Sequence, residues 1–169
     1  MTEQLQPEHS AEYWMEEALA EARKALALGE VPIGAVVVKD GQVVGRGHNR
    51  TETAKDPTAH AEILALRQAS ETLGGWRLPG CSLYVTTEPC SMCSGAIVLS
   101  RIENLYIGTM DPKAGACGSL YNIPQDTRLN HQVNIVRGIR EEECGDLLRE
   151  FFRSLRKKKR KSTQQEETK

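Results

Sequence analysis

The sequence predicts an α/β fold in three layers, with a mixed central sheet that begins with an N-terminal hairpin and is sandwiched by helices. Three observations carry this. Asp40-Gly41 sits between two runs of β-formers. Strand-like, helix-like and strand-like segments succeed one another between Ser82 and Gly108. Helical periodicity frames both ends, from Ser10 to Gly29 and from Glu141 to about Arg156.

Each element has its own signal. Ser10 suits an N-cap and Gly29 a C-terminal stop, with Trp14, Ala18, Ala22, Ala25 and Leu26 recurring along one helical face. Ile33 to Val38 and Gln42 to Gly45 form the hairpin, because both turn residues of an Asp-Gly pair tolerate positive φ. A loop from Asn49 to Asp56 leads to Pro57, which suits a first helical turn. That helix continues to about Leu73. Ser82 to Thr87 reads as a strand, about Ser91 to Ser100 as a short helix, and Asn104 to Gly108 as a second strand. Strand–helix–strand at this spacing predicts a crossover between parallel strands. Asp111 to Asn130 is too long for an ordinary connector and is read as functional or as holding a short helix. Val133 to Val136 can add a strand before the last helix.

At 169 residues the chain fits one domain, assigned to residues 10–156. Residues 1–9 and the charged tail 157–169 are expected to be disordered. Net charge is only −1, so composition alone does not announce a nucleic-acid binder. The distribution is uneven, however: the chain is acidic before residue 31 and strongly basic from Arg149 to Lys161, which can mark a polyanion-binding end. No apolar run approaches the roughly 20 residues that a spanning helix needs. No basic start precedes an apolar stretch, and the five cysteines are odd in number. Reduced thiols and a cytoplasmic protein without a membrane segment are the expectation.

Two short motifs carry chemistry: His60-Ala61-Glu62 and Pro89-Cys90-Ser91-Met92-Cys93. Cys90 and Cys93 are three apart, so on a helix they differ by only about 60° and point the same way. At the start of a helix, free N–H groups and the dipole favour thiolates. His60 completes a three-ligand set, and a catalytic zinc takes three protein ligands while leaving one position for water. Such zinc lowers the pKa of its water from 15.7 to about 7. Glu62, not itself a ligand, is the candidate for moving protons. His60 and Glu62 lie roughly 200° apart on an ideal helix, so both reach one metal only where the helix begins.

Alone, Cys-x-x-Cys is weak and His-x-Glu weaker. Their ordered combination, with Pro-Cys-x-x-Cys following the histidine, is the signature of zinc-dependent nucleobase deaminases. A structural zinc site would want a fourth ligand, and Cys81, Cys117, Cys144 and His131 show no ligand-like spacing to the motif. The spare cysteines are read as buried or incidental.

The segments Glu30 to Val36, Gly47 to Arg50, Asp56 to Glu62, Leu83 to Cys93, Ala114 to Ser119, Leu129 to His131 and Phe151 to Arg153 resemble the bacterial tRNA-specific adenosine deaminase family. The match runs from about residue 12 to 156. It implies a cytidine-deaminase-like fold, a homodimer with one zinc ion per subunit, and hydrolysis of the wobble adenosine of a tRNA anticodon stem-loop to inosine. It also implies that Asn49 and the Ala61 N–H hold the flipped base. Asp111, Asn130 and His131 would contact extruded nucleotides, with Phe152 and Arg153 along the RNA.

Without the resemblance, plainer readings stand beside these. Asn49 suits a left-handed turn, and Asp111 before Pro112 is ordinary turn chemistry. At least one of Phe151 and Phe152 should be core, and Trp14 and Trp76 are read as packing residues. Arg156 to Lys161 can be a solvated tail. Two rival functions remain: a deaminase of a free base or nucleoside (cytosine, cytidine or guanine), and a non-catalytic RNA-binding module with structural zinc.

Overall fold

The computed structural model describes residues 9–168. Helix α1 (Ala11–Ala27) begins at Ser10, whose hydroxyl accepts the Tyr13 N–H as the cap signal requires. The hairpin follows as β1 (Gly34–Lys39) and β2 (Gln42–His48), with Asp40 and Gly41 at φ 49° and 70° in the turn. Then come a single turn α2 (Thr51–Ala54), α3 (Ala61–Leu73), β3 (Ser82–Thr87), α4 (Ser91–Leu99) and β4 (Asn104–Thr109). A 3-10 turn (Ile123–Gln125) interrupts the long connector before β5 (Asn134–Val136) and α5 (Glu141–Glu166).

The sheet has the order β2-β1-β3-β4-β5. β1 is antiparallel to both β2 and β3, whereas β3, β4 and β5 run parallel. Alternation along the strands divides the core in two. Ala35, Val37, Leu83, Val85, Leu105 and Ile107 face α3 and α4. Val36, Val38, Tyr84 and Tyr106 face the other way, toward Trp14, Met15 and Leu19 of α1 and Cys144 of α5. The three-layer expectation is met.

Packing of β2 on α3 is unusually close. A Cβ at Gly45 would lie 2.2 Å from the Ala65 carbonyl oxygen, and one at Gly47 would lie 2.3 Å from that of Ala61. Only glycine lets the first two turns of α3 bed so deeply on the sheet.

Three expectations change. Pro57 does not open a helix, because Asp56 Oδ1 accepts both the N–H and the hydroxyl of Thr58 in a local turn, and α3 starts at Ala61. Trp76 is 60% exposed with the Arg77 guanidinium over its ring, and is no packing residue. The tail from Lys157, read as disordered, is helical through Glu166. Lys, Arg and Gln are strong helix formers, and no Gly or Pro after Gly145 stops the helix. The expected disorder of residues 1–9 falls outside the described residues except at His9, which stacks on Tyr13.

Candidate metal centre and the groove beside it

Two helix N-termini meet at the carboxyl end of β3. Cys90 is the N-cap of α4 with extended backbone, and Cys93 lies buried one turn on. His60 is the N-cap of α3, also extended (φ −82°, ψ 150°), and Glu62 is the second helical residue. Because His60 stands outside helical geometry, the 200° separation of an ideal helix does not apply. His60 Nδ1 lies 3.7 Å from Cys90 Sγ and 3.5 Å from Cys93 Sγ. All three ligand atoms fall within 4.8 Å of one another, a group that could hold a metal ion. No other such group occurs among the described residues, so the spare cysteines, all buried, stay apart from it.

The electrostatics suit this set. Cys93 donates to Cys90, and against the cost of burial this brings the Cys90 thiol down to about 4, with the His60 ring helping. The same contact, together with burial, pushes Cys93 up. Hydrogen bonding to Cys90 raises His60. Burial lifts the Glu62 carboxyl to about 7, poised near neutrality.

Asn49 is buried, with φ outside the left-handed region, so the turn reading fails. Its Oδ1 accepts the Ala61 N–H at 3.0 Å. The Ala61 donor expected to face a base is thus already engaged within the chain, which leaves the Asn49 amide nitrogen as the donor with no partner among the described residues.

Asp111, Phe152 and Arg153 come together in a groove of about 660 Å³ that reaches down to Thr87 at the end of β3. Phe151 is the buried member of its pair and Phe152 the exposed one, as helical geometry demands. Asp111 also does turn work, its Oδ1 accepting the N–H groups of Lys113 and Ala114. Asn130 and His131 are not brought to this groove within one chain. His131 Nε2 is 2.6 Å from the Ile102 carbonyl oxygen, beyond the far end of α4 from Cys90. Nine residues of helix, about 13 Å, lie between.

Sequence reasoning missed the buried carboxylates that hold these loops. Glu88 accepts the N–H groups of Asp111, Cys117 and Ser119 and the Ser119 hydroxyl. Burial pushes its carboxyl up, but these donors outweigh that and keep it below the ordinary range. Glu30 does the same for the loop joining Asn49 to His60, accepting from Thr53 N–H at 2.6 Å and Thr53 hydroxyl at 2.7 Å. A possible signal was the position of Glu88 directly after an apolar strand, where a charge must be satisfied or exposed. Also missed was Thr87, whose buried hydroxyl has no hydrogen-bond partner.

A profile of the MafB19-like deaminase family matches residues 9–156. The tRNA-specific adenosine deaminase of Bacillus subtilis is 54% identical over 149 residues, covering 88% of this chain and 92% of that protein. A solved structure from work on A-to-I editing by tRNA:A34 deaminases at the wobble position superposes with a TM-score of 0.78 at 48% identity, covering 80% of this chain and 99% of that one. A guanine deaminase from Nitrosomonas europaea superposes with a TM-score of 0.74 at 26% identity, over 84% of each chain. The chain therefore belongs to the MafB19-like deaminase family and stands there with the tRNA-specific adenosine deaminases.

Proposed function

We propose that the chain hydrolyses the wobble adenosine of a tRNA anticodon loop to inosine, releasing ammonia. The observation that carries this is the convergence of His60, Cys90 and Cys93 beside buried Glu62, in a chain 54% identical to a tRNA-specific adenosine deaminase.

Zinc is the metal that fits. Tetrahedral zinc with ordinary Zn–N and Zn–S bonds separates nitrogen from sulphur by about 3.5 Å. The observed separations of 3.7 and 3.5 Å need almost no rearrangement. His60, Cys90 and Cys93 would hold the ion, one per subunit. When bound, it supplies a water acidified enough to attack C6 of adenine at neutral pH. Glu62 takes the proton of that water, gives it to ring N1, and then assists protonation of the departing amine. Its burial keeps bulk water from competing for the proton. The Asn49 amide nitrogen donates to an acceptor on the base edge, while its oxygen is locked by Ala61. Asp111, Phe152 and Arg153 line the path of the flanking nucleotides, where an exposed aromatic ring offers a stacking face.

The partner is an anticodon stem-loop, and the chain works as a homodimer in the cytoplasm. Trp76 and Leu99, both exposed and lining one shallow cleft, support a second copy. In that assembly Asn130 and His131 act on the RNA bound to the other subunit. Sedimentation should give about twice the 18.8 kDa of one chain; a value near 18.8 kDa refutes the dimer.

Mass spectrometry after nuclease digestion tests the reaction. Zinc-loaded protein should form inosine from a stem-loop with adenosine at the wobble position, and leave a cytidine-wobble loop, free adenosine and free guanine unchanged. The likeness to guanine deaminase favours a second reading, a free-base deaminase. Ammonia from guanine with none from the stem-loop would establish that one instead.

A further inference from the structure

The mouth of the hairpin is anchored on two opposite layers. Gly47 faces α3, where a Cβ would meet the Ala61 carbonyl oxygen, and Asn49 faces the same way, its Oδ1 accepting the Ala61 N–H. His48 between them points across the sheet to α1, because side chains alternate along a strand. There it meets Glu21: His48 Nδ1 lies 2.9 Å from Glu21 Oε2. Glu21 is only 3% exposed, a carboxylate on the buried face of α1. Its other oxygen accepts from Lys24 Nζ at 2.7 Å, with Arg46 Nη1 at 3.7 Å. Burial pushes the Glu21 carboxyl up, but the bonds from Lys24 and His48 outweigh this and hold it below its ordinary range. An ionised carboxylate only accepts, so the proton between the two groups belongs to His48 Nδ1.

α1 is itself seated on the strands at this level. Gly34 is the register partner of His48, and a Cβ there would lie 2.0 Å from the Ala18 carbonyl oxygen and 2.8 Å from the Glu21 Cβ. The hairpin mouth is closed by the Gly34 N–H donating to Thr86 Oγ1 at 3.1 Å and the Asn49 N–H donating to the Ile33 carbonyl oxygen at 3.2 Å. Glu21 therefore stands on a part of α1 fixed against backbone, and the imidazole it holds is one residue from Asn49. The neighbouring pair of Arg46 with Glu17, at 2.7 Å, is more open to solvent and lies farther from Asn49 along the strand. A partly exposed pair adds little to stability, so what the His48 contact supplies is direction.

We propose that Glu21 and His48 are positioning residues for Asn49, fixing the end of β2 so that the Asn49 amide nitrogen is aimed before a base arrives. This rests on the reading of Asn49 as a base donor given above. A turn of the chain at residue 48 would swing that amide off the base edge, and misplacement by about 1 Å can cost up to about 10²-fold. The carboxylate on one layer thus sets a substrate contact on the other, through a single peptide unit.

The test uses the full zinc-loaded chain as wild type, H48N, H48L, N49A and H48L/N49A. Asparagine puts an N–H where Nδ1 stood, whereas leucine fills the space with no donor. H48L should raise KM for the stem-loop about fivefold or more with a smaller fall in kcat, and H48N should stay within about twofold of wild type. In the N49A background the same leucine should leave KM unchanged, because the contact it disturbs is already gone. Independently of turnover, proton–nitrogen correlation spectra of the free protein should show the Asn49 side-chain amide pair shifted or broadened in H48L and close to wild type in H48N. A wild-type KM in H48L, KM effects that multiply in H48L/N49A, or H48N as impaired as H48L would each overturn the proposal. So would an Asn49 amide pair indifferent to H48L. Should circular dichroism show H48L unfolded, H48Q takes its place in every arm, its N–H falling at the Nε2 position instead. If wild type turns over no stem-loop, the tRNA reading fails alone, and the amide spectra still decide the positioning.

Discussion

The two helix starts that meet at the candidate metal centre solve different problems. At α4 the extended N-cap Cys90 and the helical Cys93 stand three residues apart, one turn along the chain. At α3 the extended N-cap His60 and the helical Glu62 stand only two apart, a spacing that mid-helix would put on different faces. The first arrangement offers two candidate ligands of one kind. The second offers a candidate ligand and a candidate proton carrier at neighbouring positions. Both pairs use a helix end: a spacing of three suits a pair of thiols, whereas the proposed division of labour between binding and proton transfer uses a spacing of two.

Substitutions sharpen this contrast, beginning with the most severe. Cys93→Ala on α4 should lose stoichiometric metal and reduce turnover by more than about 10⁴-fold, since the nucleophile goes with the ion. Metal analysis and activity should fall together; full metal occupancy would break the comparison. Glu62→Gln on α3 should keep the metal and lower kcat by about 10²- to 10⁴-fold. Were metal also lost, Glu62 would be a ligand and the division of labour would vanish.

Glu88→Gln reaches the centre only through the loops. It should cost about 2–4 kcal/mol in urea unfolding near pH 7, because several buried donors lose a charged acceptor. The folded pKa of Glu88 lies below its ordinary value, so its stabilisation is present above about 4.5 and fades as pH falls through the folded pKa. The gap between wild type and variant should therefore narrow on acidification, and a constant gap would contradict the charged role. Asn49→Ala should have the smallest effect, about 1–2 kcal/mol of stability from the orphaned Ala61 N–H. A rise in KM larger than the fall in kcat should accompany it in steady-state kinetics.

What the sequence made legible follows the range of the forces involved. The hairpin and the strand–helix–strand crossover depend on local spacing and were read correctly, and the three residues expected to share a metal do come together. The start of α3 was placed at Pro57 because proline signals outward along the chain, while the Asp56 turn that overrides it is a side-chain choice. Glu88 and Glu30 were invisible because their partners lie 20 or more positions away and become donors only after folding. Trp76 was misjudged since hydrophobic size says nothing of which side of a loop meets solvent. The extended α5 was read from charge as a tail, although its residues favour a helix that only length and the absence of breakers reveal.

The glycines of β2 bear on how such an enzyme can be redesigned. How deeply α3 beds on the sheet sets where His60 and Glu62 arrive, so a single methyl at position 47 would shove the imidazole side away from the thiols. Libraries aimed at a new base can diversify the rim of the groove freely, because those side chains hang from loops and an exposed helix face. At positions 45 and 47 strand β2 admits one residue type. Adaptation of this scaffold is therefore channelled outward, and variants with new substrates should carry a changed rim over an unchanged floor.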